Sequence, residues 1–176
     1  MIFVDDSNSL MPKLKDSERD PRPRIDISKL SERLRGKNRI QGPPSSTAPA
    51  HPPNDPVWEA FKKNKFETNI YDRADGGKEK DVENSMLVDM ATKATEQRFQ
   101  AEFRAKHLGD PKAAEKIRKT TFVVITGDRD MMPAVKRVLE SNIRVELWGW
   151  KSGMSQYLDL AVTNSLLTEY RLDSIF

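Results

Sequence analysis

The chain of 176 residues has no cysteine, only two histidines and no long apolar run. The lack of cysteine excludes a disulfide scaffold, thiolate zinc sites and a cysteine nucleophile. No segment approaches the roughly 18 apolar residues of a spanning helix, so we expect no membrane association. Since His51 and His107 are too few for a histidine-rich centre, any metal site would depend on carboxylates, which favour Mg²⁺ or Mn²⁺.

Charged residues are abundant, with 30 Lys and Arg against 27 Asp and Glu and a net charge of +3. This mild basicity permits a polyanionic partner without identifying one. The chain opens with four apolar residues that run directly into acidic ones, which is not the pattern of a secretory signal. We therefore expect a cytoplasmic or nuclear protein.

Apolar runs alternate with helical periods, which predicts a single α/β domain over residues 1–176 with a parallel sheet and helices on both faces. The predicted strands are residues 1–4, 38–41, 66–71, 121–126, 144–150 and 172–176. The predicted helices are residues 27–36, 157–167 and stretches beginning at 56, 82 and 133. Two further segments are a proline-rich loop at 43–56 and a charged helical insertion at about 98–119.

Acidic residues follow two predicted strands and also begin the helix that opens at 82. They are Asp5, Asp6, Asp81, Glu83, Asp89, Asp128 and Asp130. Each alone also fits a helix cap or a favourable place in the helix dipole. Together they would converge on one pocket, because ligands bind outside the carboxyl ends of parallel strands. A divalent cation would relieve their repulsion and activate water, which predicts phosphodiester hydrolysis.

Three ordered motifs resemble the NYN domain, a family within the PIN-like metal-dependent ribonucleases. They read FVDDSN at residues 3–8, GKEKDVE at 77–83 and ITGDRD at 125–130. Because PAVKRV at 133–138 and VELWG at 145–149 also fit, the resemblance covers almost the whole chain. It implies a Rossmann-like, PIN-like three-layer sandwich with a mostly parallel central sheet.

The resemblance also implies site residues, a cofactor and a substrate. The catalytic and metal-binding set would be Asp5, Glu83, Asp128 and Asp130. The cofactor would be Mg²⁺ or Mn²⁺, and the substrate single-stranded RNA. Supporting roles are assigned to Asn8, Asp6, Asp89 and Thr126. Candidate RNA contacts are Lys78, Lys80, Arg129 and Lys151.

Two other functions stay open. One is a catalytically inactive NYN-type module that binds RNA or serves as a scaffold, with protein partners or homodimerisation undetermined. The other is a receiver-like domain, in which Asp72 would accept a phosphoryl group beside Thr126 and Lys151. The receiver interpretation leaves three acids without a role, namely Glu83, Asp128 and Asp130.

Overall fold

The computed structural model describes residues 1–5, 26–35, 45–47, 56–64, 66–69, 80–150 and 164–172. Within these ranges only the backbone is described for residues 35, 45–47, 56–57, 67–69 and 80–84. Several sequence predictions fall outside the described residues. They are Asp6, Asn8, Asp72, Lys78, Lys151, the strand at 38–41 and most of the helix at 157–167.

In the described part of the chain, six strands form one sheet in which every neighbouring pair is parallel. They are β1 (Ile2–Asp5), β2 (Ser45–Thr47), β3 (Glu67–Asn69), β4 (Thr121–Ile125), β5 (Arg144–Gly149) and β6 (Leu167–Arg171). The order β3-β2-β1-β4-β5-β6 confirms that the strands of Ile2, Phe122 and Val145 are parallel neighbours. The chain runs outward from β1 to β3 and returns at β4, so the β1–β4 junction is the topological switch point.

Local sequence explains where two of the helices, α1 and α5, begin. They are α1 (Ile27–Arg35), α2 (Pro56–Lys63), α3 (Lys80–His107), α4 (Ala113–Lys119) and α5 (Met132–Glu140), with a 3₁₀ turn at Arg129–Met131. The Asp26 carboxylate accepts the backbone N–H groups of Ser28 and Lys29 and thereby caps α1. Pro133 stands in the first turn of α5, where a missing N–H costs nothing.

Two apolar cores lie on opposite faces of the sheet, because successive strand residues point to opposite sides. Phe3 joins a core with Met90 of α3 and Val135 of α5. Val4 joins the other core with Leu30 of α1 and Trp58 of α2. Helices therefore cover both faces, as expected for an α/β fold with an all-parallel sheet.

Two sequence predictions, a loop without strands at 43–56 and a helix running to residue 167, are wrong. The proline-rich segment contains β2, whose three small polar residues pair with both β1 and β3. Leu167–Arg171 is a strand, whereas a helix was predicted to run to residue 167. Most of the strand predicted at 172–176 lies outside the described residues. Neither β2 nor β6 has an alternating or continuous apolar pattern. Pairing with neighbouring strands, and not the local sequence, therefore makes these segments strands.

The charged insertion consists of the last turns of α3, a bend with Gly109 at φ +60°, and α4. The amide Nε2 of Gln97 lies 3.3 Å from the sulfur of Met1, so α3 reaches the amino edge of the sheet at this point. The remaining turns of α3 continue beyond that edge before α4 returns the chain to β4. Among the described helices, none is both long and apolar enough to span a membrane.

Candidate active site

The carboxyl ends of β1 and β4 bring Asp5 and Thr126 into direct contact. Both side chains are buried, with 5% of Asp5 and 1% of Thr126 exposed. The Thr126 hydroxyl donates to Oδ2 of Asp5 at 2.9 Å and accepts the backbone N–H of Asp128 at 3.0 Å. A neutral hydroxyl thus stabilises a buried carboxylate and also orients the loop that carries the next acid.

Asp128 begins the 3₁₀ turn that follows β4. Its Oδ1 accepts the backbone N–H of Asp130 at 2.8 Å, which is the contact of a helix cap. The capping role and the predicted site role are compatible, because one carboxylate has two oxygens. Hydrogen bonds therefore connect Asp5, Thr126, Asp128 and the backbone of Asp130 in a single chain.

Asp130 stands at the surface of this turn. Its side chain is 64% exposed, and Oδ1 lies 3.9 Å from the guanidinium Nε of Arg129, itself 80% exposed. A pair this exposed contributes little to stability. The side chains of Asp130 and Arg129 therefore stay accessible to solvent and to a ligand.

The predicted acid on the long helix, Glu83, lies in the first turns of α3, where only the backbone is described. Met86, one turn later, shares a core with Met131 of the 3₁₀ turn, and α3 contacts that turn. Lys80, the first residue of α3, likewise has only its backbone described. The start of α3 consequently lies near the loop that carries Asp128.

Asp89 lies six residues after Glu83 on α3 and forms an i,i+4 ion pair with Lys93 at 3.2 Å. This contact gives Asp89 a local structural role on the helix surface. Among the side chains that the structure describes, no group of three or more carboxylates and histidines lies close enough to hold a metal ion. The donors at hand are carboxylate oxygens, which suit Mg²⁺ or Mn²⁺ in chemical type.

Sequence reasoning missed Glu169, because it predicted no strand over residues 167–171. Its register partner is Leu147, and Oε1 of Glu169 is buried without a hydrogen-bond partner in the described part of the chain. Burial raises the pKa of this carboxyl, and the positive charge of Arg171 partly opposes the shift. Glutamate on a strand of mixed polarity gives no sequence signal for this environment.

Comparisons with known proteins identify no relative of this chain. No protein-family model matches the chain, and neither a curated protein nor a solved structure is found to be similar to it. The likeness to the NYN family therefore depends on the motifs at residues 3–8, 77–83 and 125–130.

Proposed function

We propose that the protein is a metal-dependent ribonuclease that hydrolyses phosphodiester bonds of single-stranded RNA. The observation that carries the proposal is the hydrogen-bonded chain from Asp5 through Thr126 to Asp128 at the switch point of a parallel sheet. Ligand sites of open α/β sheets lie at this position. The order of the three motifs along the chain adds the expected substrate class and a PIN-like, Rossmann-like architecture.

Each predicted acid has a specific role in this proposal. Asp5, Glu83, Asp128 and Asp130 would hold Mg²⁺ or Mn²⁺, which supplies an activated water and neutralises charge on the phosphate. Thr126 positions the carboxylate of Asp5, and Arg129 offers an exposed cation to the RNA backbone. Asp6, Asn8, Lys78, Lys80 and Lys151 remain predictions from the sequence. Asp89 is bound to Lys93 and is expected to matter less.

A second candidate function is an inactive RNA-binding or scaffold module of the same type. Two observations favour it, namely the capping contact of Asp128 and the lack of a three-acid group among the described side chains. The receiver-like interpretation depends on Asp72 and Lys151, both outside the described residues, and the Thr126 hydroxyl is engaged with Asp5 and Asp128.

Incubating the purified chain with labelled single-stranded RNA tests the proposal against its inactive alternative. We expect cleavage with Mn²⁺ that stops when EDTA is added. Binding of the RNA without cleavage in Mn²⁺ and in Mg²⁺ would favour the inactive module. Asp5→Asn serves as the control for a contaminating nuclease, because a contaminant's activity would survive that substitution.

A further inference from the structure

The charged insertion carries an excess of positive charge that its own acids do not neutralise. Residues 98–119 hold seven Lys and Arg against three acids. Glu102 pairs with Arg98 at 2.7 Å, Glu115 pairs with Lys119 at 2.6 Å, and Asp110 accepts the backbone N–H of Lys112. Among the described residues, Arg104, Lys106, Lys112, Lys116 and Arg118 have no such carboxylate partner.

Two of these cations face the same groove between α3 and α4. The groove has a volume of about 260 Å³, and Arg104 and Lys116 line it together with Gln97 and Gln100. Its remaining lining among the described residues is alanine, isoleucine and threonine, with no carboxylate. Two cations and two amide groups in one concave surface suit the oxygens of a phosphodiester backbone.

Two exposed aromatic rings lie on α3 next to residues that line the groove. Phe103 is 48% exposed, and its ring lies 4.8 Å from the imidazole of His107, centroid to centroid. Because residues three and four apart are neighbours on a helix, Gln100 lies beside Phe103 and Arg104 lies beside His107. Glu96, an exposed carboxylate one turn before Gln100, lies at the end of this surface that is nearer the start of α3.

We propose that this surface, made of Gln100, Phe103, Arg104, His107 and Lys116, is a second binding site for single-stranded RNA. The cations would bind phosphates while the Phe103 and His107 rings stack with bases, a combination common to single-strand binding surfaces. The groove's cations meet no carboxylate among the described residues, which favours a polyanionic strand over a protein interface. The ligand class follows from the proposed function, but the site requires no cleavage.

The surface lies at the opposite edge of the sheet from Asp5. Gln97 of the groove contacts Met1 at the amino end of β1, and Asp5 ends that strand. Four steps at about 3.3 Å per residue separate the two edges by roughly 13 Å. RNA bound on α3 and α4 is therefore held by contacts independent of the acids, and this surface would anchor a strand whose other part reaches them.

Fluorescence anisotropy with a labelled oligouridylate in EDTA measures this binding without any cleavage. Arg104→Gln with Lys116→Gln should weaken affinity at least tenfold and lower the salt slope by about 0.7 for each phosphate that the variant no longer neutralises. The matched control is Lys62→Gln with Lys63→Gln, which removes the same charge from exposed positions of α2 on the other face. An equal loss in the control would mean general electrostatic attraction and would overturn the proposal.

Phe103→Ala separates stacking from charge. It should weaken affinity about tenfold with the salt slope unchanged, and Phe103→Trp should restore binding. If Phe103→Ala leaves RNA affinity intact but converts a dimer to a monomer in sedimentation, the surface is a protein interface and the proposal is wrong. If the original chain binds RNA at this surface but does not cleave it, the ribonuclease proposal fails and the binding-site proposal stands. Failure of the ribonuclease proposal and failure of the binding-site proposal are therefore distinguishable.

Discussion

The hydroxyl of Thr126 joins two neighbouring strands by donating to the carboxylate of Asp5 at 2.9 Å, and both side chains are buried. The same hydroxyl accepts the N–H of Asp128, so one side chain fixes both the first acid and the loop of the second. An ionised group buried at this depth is costly unless it is hydrogen-bonded. Thr126 therefore contributes to stability and to the geometry of the candidate site.

Replacing Thr126 by valine keeps the volume of the side chain but removes this bridge. We expect a loss of about 2 kcal/mol in the free energy of unfolding, because a charged acceptor and a backbone donor lose their partner. Thr126→Ser keeps the hydroxyl and is the matched control. Urea denaturation measures both variants, and equal stability would show that the hydrogen bond contributes nothing measurable.

Asp128 is predicted to have two separable roles, as a cap and as a metal ligand. Asp128→Asn retains an oxygen that accepts the Asp130 N–H, so stability in EDTA should equal or exceed that of the original chain. Asp128→Ala should cost about 1 kcal/mol because it removes the cap. Both variants should reduce the thermal stabilisation that Mn²⁺ provides through linkage. If Mn²⁺ stabilises Asp128→Asn as much as the original chain, then Asp128 is not a metal ligand.

The proline-rich segment is predicted to be necessary for the sheet, because β2 lies between β1 and β3. A short Gly/Ser linker in place of residues 43–56 should therefore destabilise the fold, contrary to what a loop without packing would allow. Ser46→Pro is the finer test, since it removes an N–H within the strand and should cost about 1–3 kcal/mol. Ser46→Ala is its control, and equal melting temperatures would argue against this strand.

Glu169 predicts how stability depends on pH. Because burial raises its pKa in the folded chain above the ordinary 4.5, the folded state holds its proton at higher pH than the unfolded state. Stability from this residue is therefore greatest below pH 4.5 and falls as the pH rises through the raised pKa. Glu169→Gln should melt above the original chain near neutrality and lose that advantage in acid. A difference that is constant with pH would contradict the assignment.

The sequence predicted those parts of the fold in which local patterns and burial agree. Strand β4 is apolar from Phe122 onward, and β5 places the buried Leu147 and Trp148 near its carboxyl end. The juxtaposition of the Asp5 and Asp128 segments followed from the rule that parallel neighbours share their carboxyl edge. These predictions needed no knowledge of side-chain contacts.

Other parts depend on tertiary context that one sequence does not display. Ser45–Thr47 is a strand because two neighbours pair with it, and Tyr170 of the edge strand stacks on Trp148 at 4.4 Å. The sequence assigned Thr126 a supporting role but did not predict its hydrogen bonds to Asp5 and Asp128. Those contacts require the loop geometry after β4, which residue types alone do not determine.

Single-turnover cleavage of labelled single-stranded RNA with Mn²⁺, by the original chain and by Asp5→Asn and Asp89→Asn, tests the central claim most directly. Losing a metal-binding carboxylate should remove several kcal/mol of transition-state stabilisation, so Asp5→Asn should be slower by at least about a hundredfold. Asp89→Asn, which breaks the pair with Lys93, should stay within about threefold, because Asp89 lies outside the proposed metal-binding set. Cleavage by Asp5→Asn at the original rate would contradict a ribonuclease site at the β1–β4 junction.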